Sequence, residues 1–284
     1  MSISSSAVLV SLNISCWPAA KLDRQVTEKA TTDAGANPRA GKFMKDLFAG
    51  TSLRKDIEKH AAACRAMHAK LTMPWADKGD RLLTTALFMD YKTWLNGAER
   101  EHNRLCDTFC LAYPQLLADA PAQLGSMYDA ADYPSVDEVR GRFGFRYKFT
   151  PLPDAGDFRL DVPKEELALL RQEYERDFDL RLGEAMREPW DRLHKLLTAT
   201  SEKLTDKEGE DEKKRYHETL ITNAQELCGL LTKLNVTNDP ALEDARRQLE
   251  LTMLGADIEA VRESPEVRSS MKSKVDAILS KFEW

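Results

Sequence analysis

The fold is decided by the stretch from Pro163 to Leu197, which reads PKEELALLRQEYERDFDLRLGEAMREPWDRLHKLL. Proline suits the first turn of a helix, and Glu165 and Glu166 follow where the helix dipole favours acidic side chains. An apolar stripe then recurs every three or four residues: Leu167, Leu170, Tyr174, Phe178, Leu182, Met186, Trp190, Leu193 and Leu197. The average step of about 3.75 residues predicts a long amphipathic helix and argues against a simple heptad zipper.

Helices are also predicted on the N-terminal side of this stretch. One runs from about Ser52 to Leu71, and a second from Asp80 to Tyr113, where Pro114 blocks continuation. Ser135 and Glu138 have the spacing of a capping box, which predicts a short helix leading into a β segment.

Shorter helices are predicted on the C-terminal side: Lys213 to Leu234, Asp239-Pro240 to Gly255, and Ser264-Pro265 to the end of the chain. The predicted fold is therefore mainly α, a helical hairpin plus a C-terminal helical bundle with one small antiparallel β element around residues 142–162. Four segments are expected: an N-terminal arm and flexible loop (1–42), an N-terminal helical region (43–139), the β segment (140–163) and the C-terminal helical bundle (164–284). Within the first, residues 27–42 are small and polar, which predicts a loop.

Composition narrows the class of protein. The 284 residues carry a net charge of −6, which argues against a surface coated with charge for nonspecific DNA binding. Five cysteines at irregular spacing do not predict a disulfide framework and fit a reducing cytoplasm. No apolar run approaches the roughly 18 residues of a membrane helix, so no membrane partner is expected.

The β segment has the most informative local pattern. Four aromatic residues alternate with mostly basic ones, so a strand would carry rings on one face and cations on the other. The rings are Phe143, Phe145, Tyr147 and Phe149, and the cations are Arg140, Arg142, Arg146 and Lys148. Such a strand suits a single-stranded nucleic-acid platform, in which bases stack on the rings, or an anion site.

The same strand also suits a core position for its rings. Four exposed rings would form an unusual apolar patch, and a lone hairpin needs something to pack on. The long helix after Pro163 offers an apolar stripe, so we favour burial of the rings against that helix. The basic face would then remain available for nucleic acid, an anion or a protein partner.

Two helical stripes of histidine and cysteine suggest a metal site. His60, Cys64 and His68 share one helix face, and a second set with the same four-residue spacing is His102, Cys106 and Cys110. Facing each other in a hairpin, they could supply a tetrahedral zinc site. We favour instead buried helix faces that include small cysteines, because such spacings arise easily and no Cys-x-x-Cys knuckle is present.

No catalytic motif is found, and no cofactor is expected. Asp154, Asp157 and Asp161 surround the β segment, but two of them lie in a Pro-Asp-Ala-Gly-Asp run, where aspartate is favoured by turn geometry. A metal-dependent enzyme is therefore less favoured than a protein that acts by binding another protein or single-stranded nucleic acid.

Five stretches resemble an uncharacterised domain-of-unknown-function family found mainly in bacteriophages and prophages of Gram-negative bacteria. They are Val8–Trp17, Met73–Gly79 with Arg81, Arg140–Phe145, Asp154–Phe158 and Leu234–Pro240. The resemblance implies a phage-type accessory protein in the host cytoplasm and brings no catalytic residues with it.

The leading expectation is accordingly a non-enzymatic protein that acts by self-association or by binding a phage or host protein. The alternative is a single-stranded nucleic-acid-binding protein of phage replication or recombination.

Overall fold

The structure is a computed structural model that describes residues 3–76, 79–152, 163–205, 216–282 and 284. Within these residues the fold is mainly α with a small antiparallel sheet, as the sequence predicts. None of the helices in these ranges is both long enough and apolar enough to cross a membrane.

The α-helices, in chain order, are α1 (Arg24–Asp33), α2 (Leu53–Leu71), α3 (Thr85–Leu124), α4 (Val136–Arg142), α5 (Lys164–Leu204), α6 (Thr219–Leu234), α7 (Pro240–Met253), α8 (Ile258–Glu263) and α9 (Pro265–Lys281). The predicted capping box is present: the Ser135 hydroxyl accepts from the backbone N–H of Glu138, whose carboxylate accepts from the Ser135 N–H. The predicted caps Asp239 and Ser264 likewise begin α7 and α9.

The strands are β1 (Ala7–Ser15), β2 (Ala20–Leu22), β3 (Met44–Asp46), β4 (Met73–Pro74), β5 (Arg81–Thr84) and β6 (Gly144–Pro151). They form a four-stranded sheet in the order β4-β5-β1-β6 and a two-stranded sheet of β2 and β3. β1 pairs antiparallel with β5, so that Val8 is opposite Leu83 and Val10 is opposite Arg81.

The chain divides into two compact units made from interleaved stretches. Unit 1 comprises Met1–Ser11, Ala69–Tyr91 and Lys148–Trp284, and unit 2 comprises Leu12–His68 and Lys92–Tyr147. Each of the elements α2, α3, β1 and β6 has residues in both units. The four segments expected from the sequence are consecutive ranges and have no such interleaving.

The core of unit 1 lies among its C-terminal helices. The second half of α5 contributes Leu193 and Leu197, both fully buried. They pack with side chains from α6 to α9, including Leu231, Leu249 and Val275. This is the C-terminal bundle that the apolar periodicity predicts, and hydrophobic burial is the main source of its stability.

The core of unit 2 is aromatic. Trp17, Phe48, Phe109, Tyr113 and Phe143 belong to one buried cluster. Phe109 lies with its ring centroid 5.6 Å from Phe48 and 5.7 Å from Phe143, in edge-to-face contacts. Such geometry places the positive edge of one ring against the negative face of the next.

Two local predictions are wrong. The expected loop of residues 27–42 begins as helix α1, because Asp23 caps the Val26 N–H and the Thr27 hydroxyl donates to the Asp23 carbonyl. The helix predicted from Asp80 begins instead at Thr85, since residues 81–84 are taken by strand β5.

The predicted stop at Tyr113 is also wrong, because α3 continues through Pro114 and Pro121 to Leu124. Proline removes one helical hydrogen bond, but burial of Tyr113 before it and of Ala120 and Leu124 after it stabilises the helix on both sides. The predicted start of α6 at Lys213 lies outside the described residues, and the short helix α8 is not foreseen by the sequence pattern.

Candidate functional site

Strand β6 has the two-faced character that its alternating sequence predicts. Phe145, Tyr147 and Phe149 are half-buried, and the alternating Arg146 and Lys148 are exposed. Phe143, just before the strand, is buried in the aromatic cluster of unit 2.

The rings of this segment pack on α3. Phe143 lies 5.7 Å from Phe109, and Phe145 lies 5.6 Å from the His102 ring. The Lys92 ammonium lies 4.6 Å from the centre of the Tyr147 ring and donates to its hydroxyl at 3.2 Å.

Phe149 continues the same pattern towards the start of α3, at 5.4 Å from Phe88 and 6.2 Å from Tyr91. The sequence pattern predicts that the rings pack against the long helix after Pro163. That expectation is wrong for the contacts seen among the described residues, because α3 supplies an aromatic or cationic partner at each position. Periodicity identifies a face that needs a partner but does not say which helix provides it.

The four basic residues of the segment have different surroundings. Arg140 forms an ion pair with Asp107 at 3.1 Å, and the Arg142 guanidinium lies 5.3 Å from the centre of the Trp17 ring. In the described parts of the chain, neither Arg146 nor Lys148 takes part in an ion pair. Two of the four cations are therefore free to meet an external anion.

The histidine and cysteine stripes are brought together in unit 2. The rings of His60 on α2 and His102 on α3 are stacked with centroids 6.1 Å apart. Each histidine contacts the cysteine one turn further along its own helix: Cys64 Sγ lies 3.4 Å from His60 Nε2, and Cys106 Sγ lies 3.5 Å from His102 Nε2.

These contacts do not make a metal centre. Across the described ranges, no group of three or more His, Cys, Asp or Glu side chains is placed to hold a metal ion. His60 Nε2 also contacts the Ala98 carbonyl at 2.9 Å, which occupies one of the two ring nitrogens through which a histidine can bind a metal. His68 is buried and Cys110 half-buried, and neither joins such a group.

Burial shifts the pKa values of His102 and Cys106, one residue pair in these histidine and cysteine stripes. Desolvation, with smaller effects of the charges of His60, Arg140 and Arg65, lowers the pKa of His102 to about 4. Desolvation also raises the pKa of Cys106 to about 12. A neutral imidazole beside a protonated thiol is the reverse of the thiolate–imidazolium pair that cysteine nucleophiles use.

Of the remaining sequence candidates, Asp154, Asp157 and Asp161 lie outside the described residues. One surface was missed by the sequence analysis, namely the face of α5 opposite its apolar stripe. Leu169 and Leu180 on that face are 54% and 59% exposed. Their spacing of three helical turns was the available signal, but the stronger stripe on the other side concealed it.

The first half of α5 has few tertiary contacts for its length. Every buried residue of this 41-residue helix lies at or after Ala185. Before that point, the stripe residues Leu167, Leu170, Tyr174, Phe178 and Leu182 are only half-buried. Phe178 meets Trp75 with ring centroids 5.3 Å apart, and Arg181 forms an ion pair with Asp177.

Comparison with protein-family models, with curated proteins and with solved structures finds no match to this chain. Two surfaces described above are the candidates for function. One is the free basic side of β6, and the other is the exposed face of α5.

Proposed function

We propose that this chain is a non-enzymatic accessory protein of a bacteriophage or prophage that acts by self-association and by binding a protein partner in the host cytoplasm. The phage assignment is supported by the five stretches that resemble the phage family. The non-enzymatic assignment is supported by the neutral His102 and the protonated Cys106, which are poorly suited to nucleophilic chemistry.

The observation that carries the proposal is the first half of α5. Residues 164–184 form about 30 Å of helix, at 1.5 Å per residue, without one fully buried side chain. Most helical stability in proteins comes from packing of a helix face against something else. The half-buried stripe of this segment and the exposed leucines on its other face offer apolar surface to a further protein chain.

Self-association is tested by sedimentation velocity from low-micromolar to high-micromolar protein. We expect the average mass to rise with concentration above the 32.1 kDa of one chain. A mass equal to one chain throughout would contradict the self-association part of the proposal.

A second candidate function is binding of single-stranded nucleic acid, favoured by the exposed Arg146 and Lys148, which form no ion pair with any residue that the structure describes. Cations with no internal partner can neutralise phosphates without first breaking an ion pair, and the resulting binding weakens as salt rises. The packed rings of β6 are not required for this mode, so binding would depend on charge more than on stacking.

The matched test compares two double variants that each remove two exposed cations. Arg146→Ala with Lys148→Ala is expected to weaken binding of a fluorescent oligonucleotide and to reduce the salt slope by about 1 to 2. Arg24→Ala with Lys29→Ala, on α1, is the control for the loss of net charge. Equal anisotropy titrations for both double variants would exclude β6 as the binding surface.

A further inference from the structure

We infer that the exposed face of α5 pairs antiparallel with the same face of a second copy of this chain. This inference rests on the proposed function and names the partner of that surface. Leu169 and Leu180 are separated by eleven residues, which is three turns of helix, so they lie on one line about 16 Å apart. The half-buried stripe through Tyr174 and Phe178 lies on the opposite side of the helix.

Two charged residues between these leucines, Glu173 and Arg176, are complementary between two copies of the helix. Glu173 follows Leu169 by four residues, and Arg176 precedes Leu180 by four. Both charged side chains are exposed, and neither belongs to an ion pair within the described residues. The four positions are thus symmetric about a point between Tyr174 and Glu175.

That symmetry is what an antiparallel pair requires. With a twofold axis through the midpoint, Leu169 of one copy faces Leu180 of the other, and Glu173 of one copy faces Arg176 of the other. Each contact occurs twice, as in every isologous interface. A parallel arrangement would instead place leucine against leucine of the same number and Glu173 against Glu173, which is repulsive.

The rest of this face leaves room for a second helix. Gly183 lies on the same side, and a Cβ built there would meet nothing within 4 Å. In the antiparallel register it is opposite Glu166, whose longer side chain needs that space. A second copy is favoured over an unrelated partner because the four central positions of this face supply both the apolar and the charged complement, although Glu165 and Glu184, which are opposite each other in the same register, have like charge.

The test uses charge reversal in the full-length chain, measured by sedimentation velocity. Glu173→Arg places arginine opposite Arg176 twice and is expected to weaken dimerisation by at least roughly tenfold, since juxtaposed like charges are costly at an interface. Glu173→Arg combined with Arg176→Glu reverses both signs and is expected to restore dimerisation to within about threefold of wild type. Circular dichroism checks that both variants keep their helix content.

A pair of leucine variants provides an independent test. Leu169→Ala with Leu180→Ala is expected to weaken dimerisation. Leu251→Ala with Leu254→Ala removes leucines that are 67% and 74% exposed near the end of α7, and is expected to leave it unchanged.

The outcomes separate this inference from the proposed function. A wild type that dimerises while Glu173→Arg dimerises equally well overturns the α5 pairing and leaves self-association standing through another surface. Loss in the single variant without rescue in the double variant also overturns the antiparallel register. A wild type that stays monomeric at all concentrations overturns both.

Discussion

At the scale of single residues, His102 has the most unusual environment. Its side chain is fully buried, and within the described chain its Nδ1 atom has no hydrogen-bond partner. Its neighbours are the rings of His60 and Phe145 and the thiol of Cys106. Burial of a charge here would be costly, which is why the pKa is lowered to about 4.

This lowered pKa predicts acid sensitivity with a definite sign. The ordinary pKa of about 6.5 applies to the unfolded chain, so below that value the unfolded state binds more protons than the folded state. The contribution of neutral His102 to the free energy of unfolding is therefore complete above about pH 6.5. It is lost as the pH falls towards 4, which lowers the free energy of unfolding by at most about 3 kcal/mol.

Urea unfolding at a series of pH values measures this effect. His102→Gln should show a shallower fall in the free energy of unfolding across the same pH range, because the titrating group is gone. An equally steep fall in the variant would assign the acid sensitivity to other groups.

Sequence reasoning identified the residues of the His/Cys stripes but not their arrangement. The spacing of four residues correctly places His60 beside Cys64 and His102 beside Cys106, because helical geometry fixes neighbours within one helix. The rotation of α2 against α3 depends on side chains distant in sequence, such as Ile14 on β1 in the same cluster as Cys64. That rotation decides whether four metal ligands converge, and it cannot be predicted from the local sequence pattern of either helix.

At the scale of elements, one arginine ties the middle of α5 to the end of α2. The Arg192 guanidinium donates to the carbonyls of Ala69, Lys70 and Thr72 at 2.8, 2.6 and 3.1 Å, and pairs with Glu188 at 3.0 Å. The last carbonyls of a helix have no intrahelical partners. Arg192 helps to satisfy them together with Arg81, which also donates to the Ala69 and Thr72 carbonyls. Its planar fork reaches several oxygens at once.

Arg192→Ala is therefore expected to reduce the free energy of unfolding by about 1.5 to 3 kcal/mol, the usual range for hydrogen bonds to a charged group. Arg192→Lys should recover only part of this loss, because an ammonium cannot span the three carbonyls. Arg187→Ala, at an exposed position of the same helix, should change stability by less than about 0.5 kcal/mol. Denaturant unfolding compares the three, and equal losses for Arg187 and Arg192 would contradict the capping role.

Element boundaries were predictable where a capping side chain marks them. Ser135, Asp239 and Ser264 begin helices as expected, since each accepts from a backbone N–H within three residues. Asp80 was misassigned because a capping residue also occurs before a short strand, and only pairing with β1 distinguishes the two. Pro114 was read as a stop because its local cost is visible in sequence, while the stabilising burial of Leu124 is not.

At the scale of the whole molecule, unit 1 joins opposite ends of the sequence. Strand β1 begins at Ala7, and its first half pairs with β5. Beside the end of β5, the Thr84 hydroxyl donates to the Lys233 carbonyl at 2.8 Å, and the Lys233 ammonium pairs with Asp90 at 2.6 Å. The N-terminal strand is thereby connected to the end of α6 through β5 and the Thr84 hydroxyl, and the Asp90 ion pair ties the start of α3 to the same end of α6.

A destabilising substitution in β1 should accordingly also increase hydrogen exchange at the end of α6. Val10 is fully buried, so Val10→Asp introduces a buried unpaired charge and is expected to destabilise unit 1 by several kcal/mol. Hydrogen exchange should rise at the amides of Leu82 and Leu83 and also near Leu234. Asn13→Asp, at an exposed position of the same strand, is the control. A rise limited to residues 7–15 would show that the connection to α6 is not energetically significant.

The interleaving itself could not be predicted from the sequence. The apolar, β-branched stretch of residues 7–15 is compatible with a strand or an extended arm, and it gives no information about a pairing partner more than seventy residues away. The C-terminal bundle was predictable because short connections make its helices neighbours in space as well as in sequence.

The raised pKa values of the native thiols have a practical consequence for labelling chemistry. Desolvation raises the pKa of all five cysteines, namely Cys16, Cys64, Cys106, Cys110 and Cys228. Maleimides react with the thiolate, so the native side chains should react slowly at neutral pH. A cysteine introduced outside the proposed interface, as in Glu175→Cys at an exposed position of α5, should then be spin-labelled in preference to them, and the distance between labels on two copies could be read without first removing any native cysteine.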